Sequence, residues 1–150
     1  AGDPDAFVRC AYSPKRRTLY LIESFVATGL LHEALGAEVR KRCGRDVITC
    51  DSADPRTIAT LRKLGLRVIA SKKGPDSVEH GTQWLQTRAK LVIDKRRCAY
   101  AAEEFSLYEY DRDKSGEPIP RYPDHNNHTI DATRYAMESV SAMKAAIVAR

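Results

Sequence analysis

Several widespread sequence signatures are absent from this chain. It has no Gly-x-x-x-x-Gly-Lys-Ser/Thr loop, which excludes ATP hydrolysis by this chain on its own. It has no Gly-x-Ser-x-Gly elbow, so nothing indicates hydrolysis through a covalent serine intermediate. Because neither a run of about 18 apolar residues nor a signal segment occurs, the sequence predicts a soluble intracellular protein.

Cysteine is scarce and widely spaced. The four cysteines, at positions 10, 43, 50 and 98, form no Cys-x-x-Cys pair. This spacing argues against a structural zinc site, because such sites take ligands from closely spaced pairs. We therefore expect reduced, partly buried thiols.

The composition is that of one globular domain with a modest excess of positive charge. The chain has 150 residues, of which 43% are hydrophobic, and this length suits a single domain with a sizeable core. Lys and Arg number 25 against 20 Asp and Glu, a net charge of +5. The excess favours an anionic partner such as DNA, although charge that serves only solubility would give the same count.

Local patterns predict a β-hairpin followed by β-α-β units. The elements predicted from periodicity, turn residues and helix stop signals are strands over 5–12, 18–26 and 67–70, a strand ending at Asp51, helices over 30–43 and 55–64, a helix with Trp84 in the core, and a hairpin turn after Tyr108-Glu109-Tyr110. This order predicts an α/β fold in which helices cover the faces of a mixed sheet.

A last helix is predicted to begin near Asn127 and to run almost to the C-terminus. Asn is a good N-cap, and no Gly or Pro occurs from Ile130 to Val148. The apolar stripe predicted to face inward comprises Ile130, Met137, Val140 and Ile147. The positions predicted to remain solvated are Arg134, Glu138 and Lys144.

The first turn of that helix carries residues of metal-ligand type. His128 and Asp131 are three positions apart and therefore share one helix face, with Tyr135 one turn further along. This face could hold a divalent cation. The alternative is that Asp131 complements the helix dipole and His128 is an ordinary polar surface residue.

Asp51 is a second isolated acid in a suggestive position. It follows the β-prone run Val47-Ile48-Thr49-Cys50 and precedes Asp54-Pro55, where Asp54 is a natural N-cap. Asp51 is thus predicted at the carboxyl end of a buried strand, where open α/β sheets collect ligand-binding groups. A simple turn residue leaving the strand is the alternative.

Ordered motifs along nearly the whole chain resemble one protein family. They are Gly2-Asp3-Pro4-Asp5-Ala6-Phe7, Leu19-Tyr20-Leu21-Ile22-Glu23, Thr49-Cys50-Asp51-Ser52-Ala53, Lys72-Lys73-Gly74, Glu103-Glu104-Phe105 and the run from Asn127 to Tyr135. In this order they resemble the C-terminal nuclease domain of the large terminase subunit of tailed bacteriophages. The resemblance implies an RNase H-like fold and a role in cutting concatemeric viral DNA for packaging.

The resemblance also assigns site residues. The family uses three acids, with a His near the last in some members; Asp51 matches the second acid, Asp131 the third and His128 the accompanying His. The first acid lies on a central strand before the Asp-Pro pair, and this chain begins at Ala1, just after that position. Asp3 is not assigned the missing role. We therefore expect a fragment without the family's first strand and first acid.

The family's chemistry implies cofactors and partners. The resemblance implies an endonuclease with two divalent ions, Mn²⁺ or Mg²⁺, and the nitrogen of His128 favours Mn²⁺. It implies double-stranded DNA as substrate, and an ATPase domain, a small terminase subunit and a portal as partners of the full protein. It implies no membrane association and places the protein in the cytoplasm of the infected bacterial host.

Basic turns are candidate DNA contacts. Lys72 and Lys73, and with less support Arg16 and Arg17, could bind phosphates, or they could be solvated turn residues. Two other functions remain open. One is a noncatalytic module that binds DNA or docks onto the packaging machinery, and the other is a different RNase H-like nuclease such as a junction resolvase.

Overall fold

An opening hairpin precedes alternating helices and short strands. The computed structural model describes residues 2–72, 74–119, 121–123 and 125–141. Its elements are β1 (Asp5–Ser13), β2 (Thr18–Ala27), α1 (His32–Cys43), β3 (Ile48–Cys50), α2 (Pro55–Lys63), β4 (Val68–Ala70), α3 (Ser77–Gln86), β5 (Lys90–Ile93), α4 (Ala99–Leu107) and α5 (His128–Ala136). Among the described residues, no helix combines the length and the hydrophobicity that a membrane span requires.

The strands form two small sheets. β1 pairs with β2 in antiparallel register from Asp5↔Ala27 to Ser13↔Thr18, as the hairpin pattern predicted. β5 adds to β2 in parallel, and β3 pairs with β4 in parallel as a separate two-stranded sheet. The predicted α/β fold with a mixed sheet and flanking helices is confirmed. In the described chain β1 and β3 each have a strand on one side only, and both free edges border one cleft.

Consecutive residues of β1 face two different cores. Phe7 packs with apolar residues of α1, α2 and β4, whereas Val8 packs with α3, α4 and α5. This division follows from the strand geometry, because successive side chains point to opposite faces. Trp84, 7% exposed, belongs to the second core, as predicted. Helices therefore cover both faces of the hairpin.

Two elements, the strand β5 and the helix α4, were not predicted from the sequence. The strand β5 has only four residues, of which Lys90, Leu91 and Val92 are exposed, so it lacks the apolar alternation of a half-buried strand. The helix α4 begins without a side-chain cap and carries two consecutive glutamates. By contrast, the segment after α4 does turn back as predicted, through an Arg112↔Pro118 bridge and a hydrogen bond of 2.9 Å from Asp113 N to Glu117 O.

The last helix differs from its prediction in length and in one buried position. α5 ends at Ala136 with Met137 as its C-cap, and residues 138–141 are again helical. Ile130 and Met137 face the core as predicted. The prediction that Arg134 is solvated is wrong: the residue is 9% exposed. Lys144 and Ile147 lie outside the described residues.

A distant carboxylate caps α5. Asn127 occupies the N-cap position, as predicted, but its side chain makes no capping hydrogen bond. Instead, Glu104 Oε1 accepts from the backbone N–H of Ile130 at 2.9 Å and from the Thr129 hydroxyl at 2.8 Å. Since the first N–H groups of a helix need acceptors, Glu104 of α4 stabilises the helix that carries His128 and Asp131.

The thiol of Cys10 allows a test of packing at alkaline pH. The cysteines are free, as predicted, and burial raises the pKa of Cys10 to about 12. An unfolded thiol has a pKa of about 8.5, so the unfolded state loses its proton first as the pH rises. The contribution of Cys10 to stability is therefore complete below about pH 8.5 and is lost as the pH rises towards 12.

We expect the free energy of unfolding to fall by roughly 1.4 kcal/mol per pH unit through this group between about pH 9 and 11. Urea titrations of the parent and of Cys10→Ala measure the effect, because other alkaline titrations are common to both proteins. The slope should be shallower in Cys10→Ala. Equal slopes would contradict the assigned burial of this thiol.

Candidate active site

A cleft of about 410 Å³ lies between the free edges of β1 and β3. Its lining includes Asp51, His128 and Asp131, the three residues that sequence analysis placed in one site. Asp51 reaches it from the end of β3, and the other two reach it from the first turn of α5. The fold thus brings together acids that are 80 positions apart in the sequence (131 − 51).

The position of Asp51 is set by a short turn between β3 and α2. Asp51 Oδ1 accepts from the N–H of Ala53 at 2.9 Å, and Ser71 N donates to Cys50 O at 2.8 Å. Asp54 caps α2 as predicted, accepting from Thr57 N at 3.1 Å. Asp51 is therefore not required as the helix cap. β3 itself is half-buried, whereas a buried strand was predicted.

The carboxylate of Asp131 is held by a buried arginine that sequence analysis missed. Arg134 Nη2 donates to Asp131 Oδ1 at 2.7 Å, and the side chains are 7% and 31% exposed, respectively. Gly81 of α3 provides the space: a Cβ there would lie 2.9 Å from Arg134 Cδ. A glycine within a helix was the available signal, since glycine lowers helix stability unless close packing requires it.

Further carboxylates strengthen the negative charge of this cleft. Asp5, at the start of β1, and Asp54 also line it, and sequence analysis assigned neither to the site. The pKa of Asp5 is raised, mainly by burial and then by the charge of Asp54, while His32 opposes the rise. Burial, with the charges of Asp54 and Asp51, raises the pKa of the Cys50 thiol to about 11.

The donor types suit a divalent cation, but the described set is incomplete. Carboxylate oxygens with one imidazole nitrogen are ligands for Mn²⁺ and, through the oxygens, for Mg²⁺. In the described ranges, however, no three His, Cys, Asp or Glu side chains are arranged to hold an ion. Asp51, His128 and Asp131 therefore fit a metal in donor type and share one cleft, but by themselves they are not arranged as a complete ligand set in the described residues.

The candidate DNA contacts lie in different places. Lys72 follows β4 and Asp51 follows β3, so both lie at the carboxyl ends of these two parallel strands. The Lys72 side chain is exposed, and its backbone N–H donates to Glu138 Oε1 at 2.6 Å. Lys73 lies outside the described residues.

Arg16 and Arg17 are in the hairpin turn, at the opposite end of β1 from Asp5. At about 3.3 Å per residue, the turn is roughly 30 Å from Asp5. Arg17 Nη2 donates to Thr87 O at 2.5 Å.

Comparison with known proteins gives consistent matches to phage terminases. The large terminase subunit of Bacillus phage SPP1 is 44% identical over 139 residues, which are 91% of this chain and 33% of that protein. The chain thus spans about a third of the length of that relative. The crystal structure of the SPP1 large terminase nuclease domain with bound Mn is 43% identical and has a TM-score of 0.83, covering 93% of this chain and 80% of that one.

A more distant structure shares the fold, and a family profile covers most of the chain. The P22 large terminase nuclease domain is 20% identical, with a TM-score of 0.65, and the match covers 89% of this chain and 73% of that one. The profile of the family described as terminase RNAseH like domain matches residues 1–139. The resemblance drawn from the sequence motifs is confirmed, and the chain belongs to the terminase RNase H-like domain family.

Proposed function

We propose that this chain is a metal-dependent endonuclease domain that cuts concatemeric double-stranded viral DNA during genome packaging. One observation carries the proposal: Asp51, His128 and Asp131 line one cleft. These positions match the second acid, the accompanying His and the third acid expected for the family. The proposed setting is the host cytoplasm, with the ATPase domain, the small terminase subunit and the portal as partners of the full protein.

The proposed roles follow from the chemistry of phosphodiester hydrolysis. Divalent cations would supply charge that stabilises the attacking and leaving oxygens, and we propose two of them. The carboxylates of Asp51 and Asp131 would bind cations, and His128 would complete one coordination shell. Arg134 would orient Asp131 through Oδ1 and leave Oδ2 for the cation. Lys72 would contact the DNA backbone close to the acids, and Arg16 and Arg17 would contact it only further along the duplex. Lys73, which lies outside the described residues, is proposed as a further DNA contact.

The incomplete ligand set leads to a further part of the proposal. We propose that an acid on a strand preceding the described residues completes the site. The cleft supports this, because the unpaired edges of β1 and β3 both face it and could accept hydrogen bonds from an inserted strand. Such a strand would join the two sheets into one.

Plasmid cleavage with Mn²⁺, Mg²⁺ or EDTA tests the proposal. The proteins are this chain, a longer protein with the preceding terminase residues, and Asp51→Ala in each, with folding verified by circular dichroism. We expect metal-dependent cleavage by the longer protein, strongly reduced in Asp51→Ala and weak or absent in the shorter chain. Absence of metal-dependent cleavage in both folded parents would overturn the nuclease proposal.

The choice of metal gives a separate prediction. Because a nitrogen ligand is more acceptable to Mn²⁺ than to Mg²⁺, we expect several-fold faster cleavage with Mn²⁺ at saturating concentrations of either ion. In His128→Asn the preference should shrink. Equal rates with both ions in the parent would count against a role of His128 in coordination.

A noncatalytic DNA-binding module is the second candidate. It is favoured by the absence of a complete three-ligand site in the described residues. Such a module would bind duplex DNA with equal affinity in EDTA and in Mn²⁺. The longer protein that includes the preceding terminase residues would not cleave DNA either.

A junction resolvase would instead cut four-way junctions in preference to linear duplex. A gel assay with both substrates distinguishes these two activities.

A further inference from the structure

A second cleft, of about 430 Å³, lies between α4, the segment that follows it and the loop before α5. Its lining contains four carboxylates and one guanidinium, those of Glu103, Glu104, Glu109, Asp111 and Arg112. The chain as a whole has a net charge of +5, so this cleft is an acidic site on a basic protein. Its charge would repel DNA phosphates and attract a cationic group.

Some of this negative charge is already neutralised within the chain. Asp111 Oδ2 lies 3.0 Å from Arg121 Nε, and Glu109 Oε1 lies 3.6 Å from Arg112 Nε. Neither of those pairs involves the two neighbouring glutamates of α4. The acidity of the cleft therefore resides mainly on the helix side, where Glu103 is exposed and Glu104 is buried.

Glu104 has an oxygen for which the described residues provide no donor. The residue is 4% exposed. Its Oε1 accepts from Thr129 and Ile130, whereas its Oε2 is buried without a hydrogen-bond partner among the described residues. A buried carboxylate oxygen without a donor is costly. Because Glu104 also lines the cleft, a hydrogen-bond donor bound there that displaced the groups covering Oε2 would remove that cost.

Aromatic rings complete the lining. Tyr100, Tyr108 and Tyr110 all border the cleft, and Tyr100 and Tyr110 are 42% and 43% exposed. Leu107, at the same cleft, is 70% exposed. Ring faces attract cations, and an exposed leucine beside them offers apolar contact to the chain that presents the cation.

We propose that this cleft binds an arginine side chain presented by a protein partner, with its guanidinium between Glu103 and Glu104 and against the tyrosine rings. A metal ion fits less well, because a hard divalent cation takes oxygen ligands and would leave the tyrosine rings and the exposed Leu107 unused. A guanidinium is favoured over an ammonium group because its planar fork can donate to two carboxylates while it stacks on a ring.

Nuclear magnetic resonance titration of the ¹⁵N-labelled chain with N-acetyl-arginine methylamide tests the proposal. We expect saturable shifts of amides within residues 100–112 and of the Ile130 amide, because the Ile130 N–H is bonded to the Glu104 carboxylate. The matched probe is N-acetyl-citrulline methylamide, which has nearly the same shape without the charge. It should produce no saturable shift, and the lysine analogue should bind more weakly than the arginine compound.

Two variants make the test specific. Glu103 is exposed, so Glu103→Gln should fold normally and weaken binding at least about five-fold. Glu33→Gln, an exposed position in the first turn of α1, should bind as the parent does. Equal shifts with citrulline, unchanged binding in Glu103→Gln, or no saturable shift would overturn the proposal. Shifts of these resonances that depend on protein concentration without any probe would overturn it in favour of a second copy of the chain.

Discussion

Asp51→Ala and Asp131→Ala are each expected to reduce the rate of metal-dependent plasmid cleavage at least about 100-fold. This is the scale observed when a group that stabilises developing charge is removed. The two variants are expected to differ in their free energy of unfolding. Asp131 is the anionic partner of the buried Arg134. Its removal leaves that guanidinium unpaired, which we expect to cost about 2 kcal/mol after allowance for the partial exposure of Asp131. Asp51→Ala should change stability by less than about 1 kcal/mol.

Cleavage assays and urea unfolding of the same proteins measure both effects. The longer protein with the preceding residues is the reference if this chain alone does not cut DNA. Asp3→Ala is the matched control, because Asp3 is exposed and belongs to no proposed ligand set; it should cleave and unfold like the parent. Full activity of Asp51→Ala would remove Asp51 from the site, whereas equal stability of the two variants would contradict the importance of the Arg134 ion pair.

Arg134→Met is expected to reduce cleavage by roughly 10- to 100-fold at saturating Mn²⁺, the range typical for loss of a group that orients a metal ligand. The reason is geometric: Arg134 Nη2 bonds one oxygen of Asp131 and fixes the direction of the other. Removing a nearby positive charge would by itself strengthen cation binding. A lower rate at saturating Mn²⁺ would therefore indicate that the Asp131 carboxylate is misoriented, and not that the protein binds Mn²⁺ more weakly.

Two further variants separate orientation from general stability. Arg134→Lys retains the charge without the planar fork and should show an intermediate rate. Gly81→Ala leaves both Asp131 and Arg134 in place but puts a Cβ 2.9 Å from Arg134 Cδ, so it should lower the rate while adding helix propensity. Parental rates in both Arg134→Met and Gly81→Ala would show that Arg134 has only a packing role.

The elements that sequence analysis predicted correctly depend on interactions between near neighbours. The hairpin follows from a Pro-containing turn between two β-prone runs, and α2 begins where the Asp54 cap and Pro55 place it. His128 and Asp131 share a helix face because they are three residues apart. Each of these features involves only a few consecutive residues, so its physical cause is visible in the sequence.

The features that were missed depend on groups distant in sequence. The four-residue strand β5 forms because β2, some 70 positions earlier at Thr18↔Lys90, offers its edge. α5 is capped by Glu104 and not by its own Asn127, and Arg134 is buried because Gly81 lets it approach α3. Periodicity alone cannot distinguish a solvated arginine from one that is buried against another helix.

The candidate site combines both kinds of information. Short-range patterns were enough to place Asp51 after a strand and His128 with Asp131 on one helical turn, because strand ends and helix faces depend on neighbouring residues. Three features became visible only in the folded chain: these residues share a cleft with Asp5, Arg134 holds Asp131, and β1 and β3 leave unpaired edges beside them. These features depend on which elements pack together. Packing is driven by burial of the apolar surface of the whole chain, which no single segment determines.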